Sequence, residues 1–235
     1  MTDEASNEMN DGKPVLLDTY CGGGGATKGY QRAGFFVVGI DIKPQPNYCG
    51  DAFIRGDVIG ILGRMLKGEK FLASDGRWYR LTDFAAIHAS PPCQRYSLGS
   101  ARWDKEHPDL LNKTENLLQK IGLPAVIENV ERAPFTWPTI TLCGIQFYLD
   151  VIRHRKFATN WFCLAFPHNL KHPKRGEFVT CAGHGGNGSN KYSVWAEAMG
   201  IDWMTKPELT QAIPPTYTEY IGRQLLTVVN RGFYA

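Results

Sequence analysis

Short apolar runs alternate with helix-like segments along most of this chain. Val15-Leu16-Leu17, Phe35-Phe36-Val37-Val38-Gly39-Ile40, Phe84-Ala85-Ala86-Ile87 and Val126-Ile127 read as strands, and residues 26–33 read as a helix after the first of them. Later segments predict helices near 194–199 and 207–212, and a last one over about 217–230. This alternation implies an α/β fold, a mostly parallel sheet flanked by helices. Residues 71–81 interrupt it as a predicted hairpin turned at Asp75-Gly76. The chain has no internal repeat.

The strands end in polar residues, and those ends are where chemistry is expected. Asp18-Thr19-Tyr20-Cys21 leads into Gly22-Gly23-Gly24-Gly25 and then a helix start. Glycines let the backbone approach a ligand closely, and a helix N-terminus adds unpaired N–H groups with partial positive charge. A tight structural turn and a dinucleotide site use similar devices. The spacing is not G-x-G-x-x-G, however, and an acid precedes the glycines, so S-adenosylmethionine fits better than a dinucleotide. Asp41 ends the second strand, where an acid can accept from ribose hydroxyls, and Asp57 could do the same for an adenine amino group. In α/β sheets ligands gather outside the carboxyl ends of the strands, so Asp18, Asp41, Cys93 and Glu128 are expected to converge.

Ser90-Pro91-Pro92-Cys93-Gln94 follows the third apolar run directly. Two prolines fix φ and remove two backbone donors, which holds the Cys93 thiol on a rigid, partly exposed turn. Most free cysteines are small buried hydrophobes, and the surrounding pattern is what makes Cys93 a candidate nucleophile. Glu128 closes the strand Val126-Ile127-Glu128-Asn129-Val130 and would sit at the same sheet edge.

The composition fits an enzyme with one main domain: 235 residues, 43% hydrophobic and 12% aromatic, enough for a full core. A net charge of +3 is mild for a nucleic-acid binder, so local clusters matter more. Arg153, His154, Arg155 and Lys156 form one; Lys171, His172, Lys174 and Arg175 form another, ahead of the glycine-rich residues 183–190. No window approaches the ~20 apolar residues of a membrane span, and residues 1–13 are polar and acidic, unlike a signal peptide. A cytoplasmic protein with no membrane partner is expected. The six cysteines show no C-x-x-C pairing, and neither disulfides nor a metal is expected; Cys163, His168, His172, Cys181 and His184 are the nearest approach to a metal set.

Taken together, Asp18 through Gly25, Pro92-Cys93-Gln94, Glu128-Asn129-Val130, Arg153-His154-Arg155 and Ala212-Ile213-Pro214-Pro215 resemble motifs I, IV, VI, VIII and X of the DNA cytosine-5 methyltransferases, in that family's order. Tyr20 and Gln211 stand where the family usually has Phe and Asn. The resemblance implies a Rossmann-like S-adenosylmethionine-dependent methyltransferase fold with a reduced target-recognition region. It implies that Cys93 is the nucleophile, Glu128 the acid that engages cytosine N3, and Arg155 with Arg153 contacts to the base or its phosphate. Asp18, Tyr20, Cys21, Gly22, Gly24, Asp41, Ile42, Asp57, Val58, Pro91 and Gln211 would hold S-adenosylmethionine, leaving S-adenosylhomocysteine. Pro92, Gln94, Ser97, Asn129 and Val130 would meet the substrate.

By the same resemblance the product is 5-methylcytosine in double-stranded DNA, made by a monomer on a flipped-out base. Enzymes this compact resemble those of bacteriophages and other mobile elements. Transfer RNA as substrate and a catalytically silent cofactor-binding homologue are the rival readings; an amino-methyltransferase would need an aromatic residue where this chain has Cys93. Arg95, Tyr96, Ser97, Ser100, Arg102, Trp103 and Lys105 form a candidate lid over the base. The chain divides into a tail (1–13), a catalytic and cofactor-binding domain (14–158), a recognition region (159–191) and C-terminal helices (192–235). The last helix is expected to pack beside the first strand and complete the cofactor pocket. A recognition region this short predicts a site of about two to four base pairs, because each pair read needs at least one side chain.

Overall fold

The computed structural model describes residues 10–96, 109–165, 171–174, 177–181 and 191–233. The candidate lid from Ser97 to Lys105, the glycine-rich residues 183–190, His168 and Arg175 lie outside them. The first apolar run forms β1 (Val15–Thr19), buried throughout, followed by α1 (Gly25–Ala33), β2 (Phe36–Asp41), β3 (Ala52–Arg55) and α2 (Val58–Met65). The predicted hairpin is present as β4 (Phe71–Leu72) and β5 (Trp78–Tyr79), with Gly76 at a φ of 81° in its turn. Then come β6 (Ala86–Ala89), α3 (Leu111–Ile121), β7 (Ala125–Asn129), β8 (Thr139–Leu142) and β9 (Arg155–Thr159). The chain ends with α4 (Tyr192–Met199), α5 (Lys206–Gln211) and α6 (Pro215–Asn230).

Seven strands make one sheet in the order β3-β2-β1-β6-β7-β9-β8. All neighbours from β3 to β7 run parallel, while β9 runs antiparallel to both β7 and β8. Two consequences position the site. Strand order reverses between β1 and β6, which opens a crevice at their carboxyl ends. Because β9 is antiparallel, it also begins at the edge where β7 finishes, so Arg155 starts level with the end of the Glu128 strand.

Strand periodicity sorts the core into two layers. Leu17, Val38, Ile40, Ile87 and Ile127 pack with Leu62 and Met65 of α2 and Leu118 of α3. On the other face Leu16, Val37, Val126 and Phe157 pack with Tyr30 of α1 and Tyr217, Ile221 and Leu225 of α6. Burial on both faces explains why β1, β2 and β6 read as near-continuous apolar runs. A third cluster, Val151, Val179, Trp195, Met199 and Leu209, joins α4 and α5 to the segment before β9.

The last helix, α6, shares the layer that covers Leu16 of β1 and lies closely along α1. A Cβ on Gly29 would come within 2.1 Å of the Pro215 carbonyl oxygen, so only glycine permits this approach, and the Thr218 hydroxyl donates to the Ala26 carbonyl at 2.8 Å. No helix among the described residues is long and apolar enough to cross a membrane.

Candidate active site

At the carboxyl edge of the sheet lies a cavity of about 490 Å³. Its first wall is the turn after β1. Tyr20 and Gly22 adopt left-handed conformations, φ 59° and 50°, which fold the chain back beneath the end of β2. There the Gly22 N–H donates to Asp41 Oδ2 at 3.1 Å and the Lys43 N–H to Asp41 Oδ1 at 2.9 Å. Asp57 caps α2, accepting from the Gly60 N–H at 2.7 Å, so its carboxylate sits at a helix N-terminus. Asp18, Tyr20, Cys21, Gly22, Asp41, Ile42, Asp57 and Val58 all line the cavity. Gly24 does not: at φ 88° it caps α1, and its carbonyl accepts from the Cys49 thiol at 3.2 Å.

The opposite wall comes from a distant part of the sequence and includes Gln211, Ala212 and Ile213 from the motif expected near the cofactor, together with Met204, Pro207 and Glu208, which no motif marked. Met204, Pro207, Glu208, Gln211, Ala212 and Ile213 face the glycine turn. A Cβ on Gly25 would approach the Ile213 carbonyl oxygen to 2.7 Å, and the Trp203 indole N–H donates to the Gly23 carbonyl at 2.9 Å. This segment before α6, not α6 itself, closes the pocket.

Asp18 is fully buried between these walls. The Thr27 hydroxyl donates to its Oδ2, while its Oδ1 has no hydrogen-bond partner. Burial pushes its pKa up to about 7. An orphaned buried carboxylate oxygen on a cavity wall suits a cationic or N–H-bearing ligand. An amino-acid ammonium at that point, a ribose near Asp41 and an adenine near Asp57 describe S-adenosylmethionine, so the residues present fit the cofactor.

The remaining wall holds Pro91, Pro92, Cys93, Glu128 and Arg155. Cys93 follows β6, is half-buried and lines the cavity. Glu128 is 8% exposed, and Arg155 Nε meets its Oε1 at 3.0 Å. Burial raises the pKa of Glu128, opposed by Arg155 and by a hydrogen bond from Ser90. Burial also raises the Cys93 thiol, as does the Glu128 charge, against the pull of Arg155 and Arg153. A thiol and a carboxyl group thus share one edge with a guanidinium that holds the carboxyl in place.

Two expected site residues make structural bonds away from the cavity. Arg153 is buried and turned from the cavity: its Nη1 donates to the Cys181 carbonyl at 2.9 Å and its Nη2 to the Thr210 carbonyl at 2.7 Å. It ties the segments around 181 and 210 together. Burial and the neighbouring Arg155 charge pull its pKa down to about 9. Asn129 is buried too, donating to the Pro91 carbonyl at 2.9 Å and accepting from the Val130 N–H at 2.9 Å. It positions the Cys93 turn, and neither it nor Val130 lines the cavity. Gln94 opens a short 3₁₀ turn over Gln94–Tyr96 directly after the nucleophile. Ser97 lies outside the described residues.

One functional element escaped the sequence reading. His88, inside β6, bonds the Tyr30 hydroxyl through Nδ1 at 2.9 Å and the Ser90 hydroxyl through Nε2 at 2.9 Å. Ser90 continues the chain to Glu128. Burial pulls the His88 pKa down to about 3, so the ring is neutral and can take either tautomer. In one, Ser90 donates to a Glu128 carboxylate; in the other, it accepts from the acid.

No family model matches this chain, nor does any curated protein. Solved structures do. The S. pombe Dnmt2 methyltransferase aligns with a TM-score of 0.62 at 15% identity, covering 93% of this chain and 99% of that one. The fold is the Rossmann-like methyltransferase fold. An E. coli prophage protein described as a DNA modification methyltransferase aligns at 0.58 with 13% identity, over 93% and 100% of the two chains. A Spodoptera frugiperda DNMT2 mutant aligns at 0.57 with 12% identity, over the same shares. What these structures share with the chain is the fold.

Proposed function

We propose that this chain transfers a methyl group from S-adenosylmethionine to carbon 5 of cytosine in DNA. One observation carries the reading: Cys93, Glu128 and Arg155 form one wall of the cavity whose other walls hold Asp18, Gly22, Asp41 and Asp57. The cofactor, when bound, supplies an electrophilic methyl group.

The chain's own residues prepare the base. Cytosine C5 is a poor nucleophile until a group adds at C6, and the soft Cys93 thiolate adds there, forming an S–C6 bond. Electron density moves toward N3, where Glu128, with its pKa raised in a water-poor site, donates a proton or a strong hydrogen bond. Arg155 fixes the carboxyl orientation and compensates its charge when ionised. After C5 is methylated, loss of the C5 proton expels the Cys93 thiolate by β-elimination and restores the aromatic ring. Because C6 is attacked from the ring face, the base must leave the helical stack. Arg155 on the cavity wall, with Lys156 next to it in the chain, supports a polyanionic substrate, and double-stranded DNA is the reading that follows from the motif resemblance.

The test supplies methyl-labelled S-adenosylmethionine with duplex DNA, duplex RNA or transfer RNA, followed by nucleoside mass spectrometry. Labelled 5-methyldeoxycytidine is expected. Label on cytosine N4 or adenine N6, or label on transfer RNA alone, would overturn the proposal.

A further inference from the structure

Outside the cavity a second group of reactive side chains converges. Leu142 pairs with Arg155 across β8 and β9, so Cys143 and His154 lie next to this last pair, at the loop end of the hairpin. His172, from the described segment 171–174, completes the group. Its Nε2 lies 3.1 Å from His154 Nε2 and 3.7 Å from Cys143 Sγ. All three atoms fall within 4.8 Å of one another.

The two separations from His172 Nε2 match edges of a metal tetrahedron. Zinc bonds of ~2.0–2.1 Å to nitrogen and ~2.3 Å to sulfur give tetrahedral edges of about 3.3 Å between nitrogens and about 3.6 Å between nitrogen and sulfur. Two surrounding features agree. The backbone N–H groups of Gly144, Ile145 and Arg153 turn toward the Cys143 sulfur, as a metal-bound thiolate requires. Behind His154, Glu131 Oε2 stands 3.8 Å from Nδ1, so a carboxylate faces the nitrogen turned away from the cluster. The carboxylate stands on the side from which a ligating imidazole is ordinarily supported, at ion-pair rather than hydrogen-bond distance, and leaves Nε2 for the metal.

We infer that Cys143, His154 and His172 bind a zinc ion, with water in the fourth position. One thiolate and two imidazoles favour zinc over the hard cations, and as the Zn–S bond forms the thiol proton passes to solvent. The site differs from the set that spacing suggested: Cys181 is buried beside Arg153, and only His172 is shared. Zinc here would fasten the segment around His172 to the β8–β9 hairpin that presents Arg155. The inference stands independently of the methyltransferase reading.

The full-length protein, purified without chelators, is assayed for metals by plasma mass spectrometry. One zinc per chain is expected, falling at least about tenfold in His172→Ala, an exposed position whose replacement leaves the core intact. Cobalt(II) added to the chelator-treated protein is expected to give a thiolate-to-metal charge-transfer band that disappears in Cys143→Ser. Wild-type protein lacking stoichiometric zinc and showing no such band would overturn the inference. So would zinc content unchanged in both variants.

Discussion

At the end of the cavity proposed for the cofactor, Asp18 and Asp41 lie in, and Gly22 and Asp57 follow, three adjacent parallel strands within a single stretch of sequence, and much of the work is done by backbone N–H groups and left-handed turns. At the base-handling end, Cys93, Glu128 and Arg155 come from three separate strands, one of them antiparallel, and side-chain bonds from Asn129, Ser90 and Arg155 hold them in register. The first region is made by local conformation, the second by topology. Damage to the first should therefore appear as lost cofactor affinity, and damage to the second as lost rate.

Cys93→Ser separates the two most sharply. Methyl transfer is expected to fall on the order of 10⁴-fold or more, while calorimetry with S-adenosylhomocysteine gives an unchanged affinity. Glu128→Gln should cost about 10³-fold in kcat, again sparing cofactor affinity, because only the proton donor to the base is lost. A cofactor affinity that drops with either variant would merge the two regions.

The cofactor end has its own probe in pH. Asp18 must be ionised to pair with an ammonium, and its pKa is about 7. Binding of S-adenosylhomocysteine should thus weaken about tenfold per pH unit below 7 and level off above it. Asp18→Asn should flatten that profile. Stability follows linked signs. Folded Asp18 keeps its proton to about 7 whereas the unfolded chain releases it near 3.8, so this group makes stability fall as pH rises through that window. His88 acts oppositely: neutral down to about 3 when folded and titrating near 6.5 when unfolded, it makes stability fall as pH drops through that range.

The smallest expected effect is that of Ser90→Ala, which cuts the link from His88 to Glu128. A loss of about tenfold in kcat, with the Glu128 limb of the pH–rate profile moved to higher pH, matches one lost hydrogen bond to a carboxylate. A uniform drop with no pH shift would make Ser90 a packing residue only.

The same contrast explains what could be read from the sequence. Gly22, Asp41 and Asp57 were legible because strand, turn and acid are neighbours in the chain. Cys93 and Glu128 were legible because both close apolar runs, and parallel sheets gather such ends. Nothing in Arg153-His154-Arg155 tells which guanidinium faces the cavity; that depends on where β9 begins and on carbonyls at Cys181 and Thr210. His88 looked like one polar residue in an apolar strand, since its partner Tyr30 lies 58 positions away. The docking of α6 on α1 depended on the absence of a side chain at Gly29, which has no apolar signature.

The most direct test uses duplex DNA carrying 5-fluorocytosine, whose C5 fluorine cannot leave as a proton, so elimination stops after methyl transfer. With S-adenosylmethionine present, a denaturation-resistant protein–DNA adduct should form and be absent in Cys93→Ala. No adduct on any duplex carrying 5-fluorocytosine, or an adduct that persists without the Cys93 sulfur, would contradict the account.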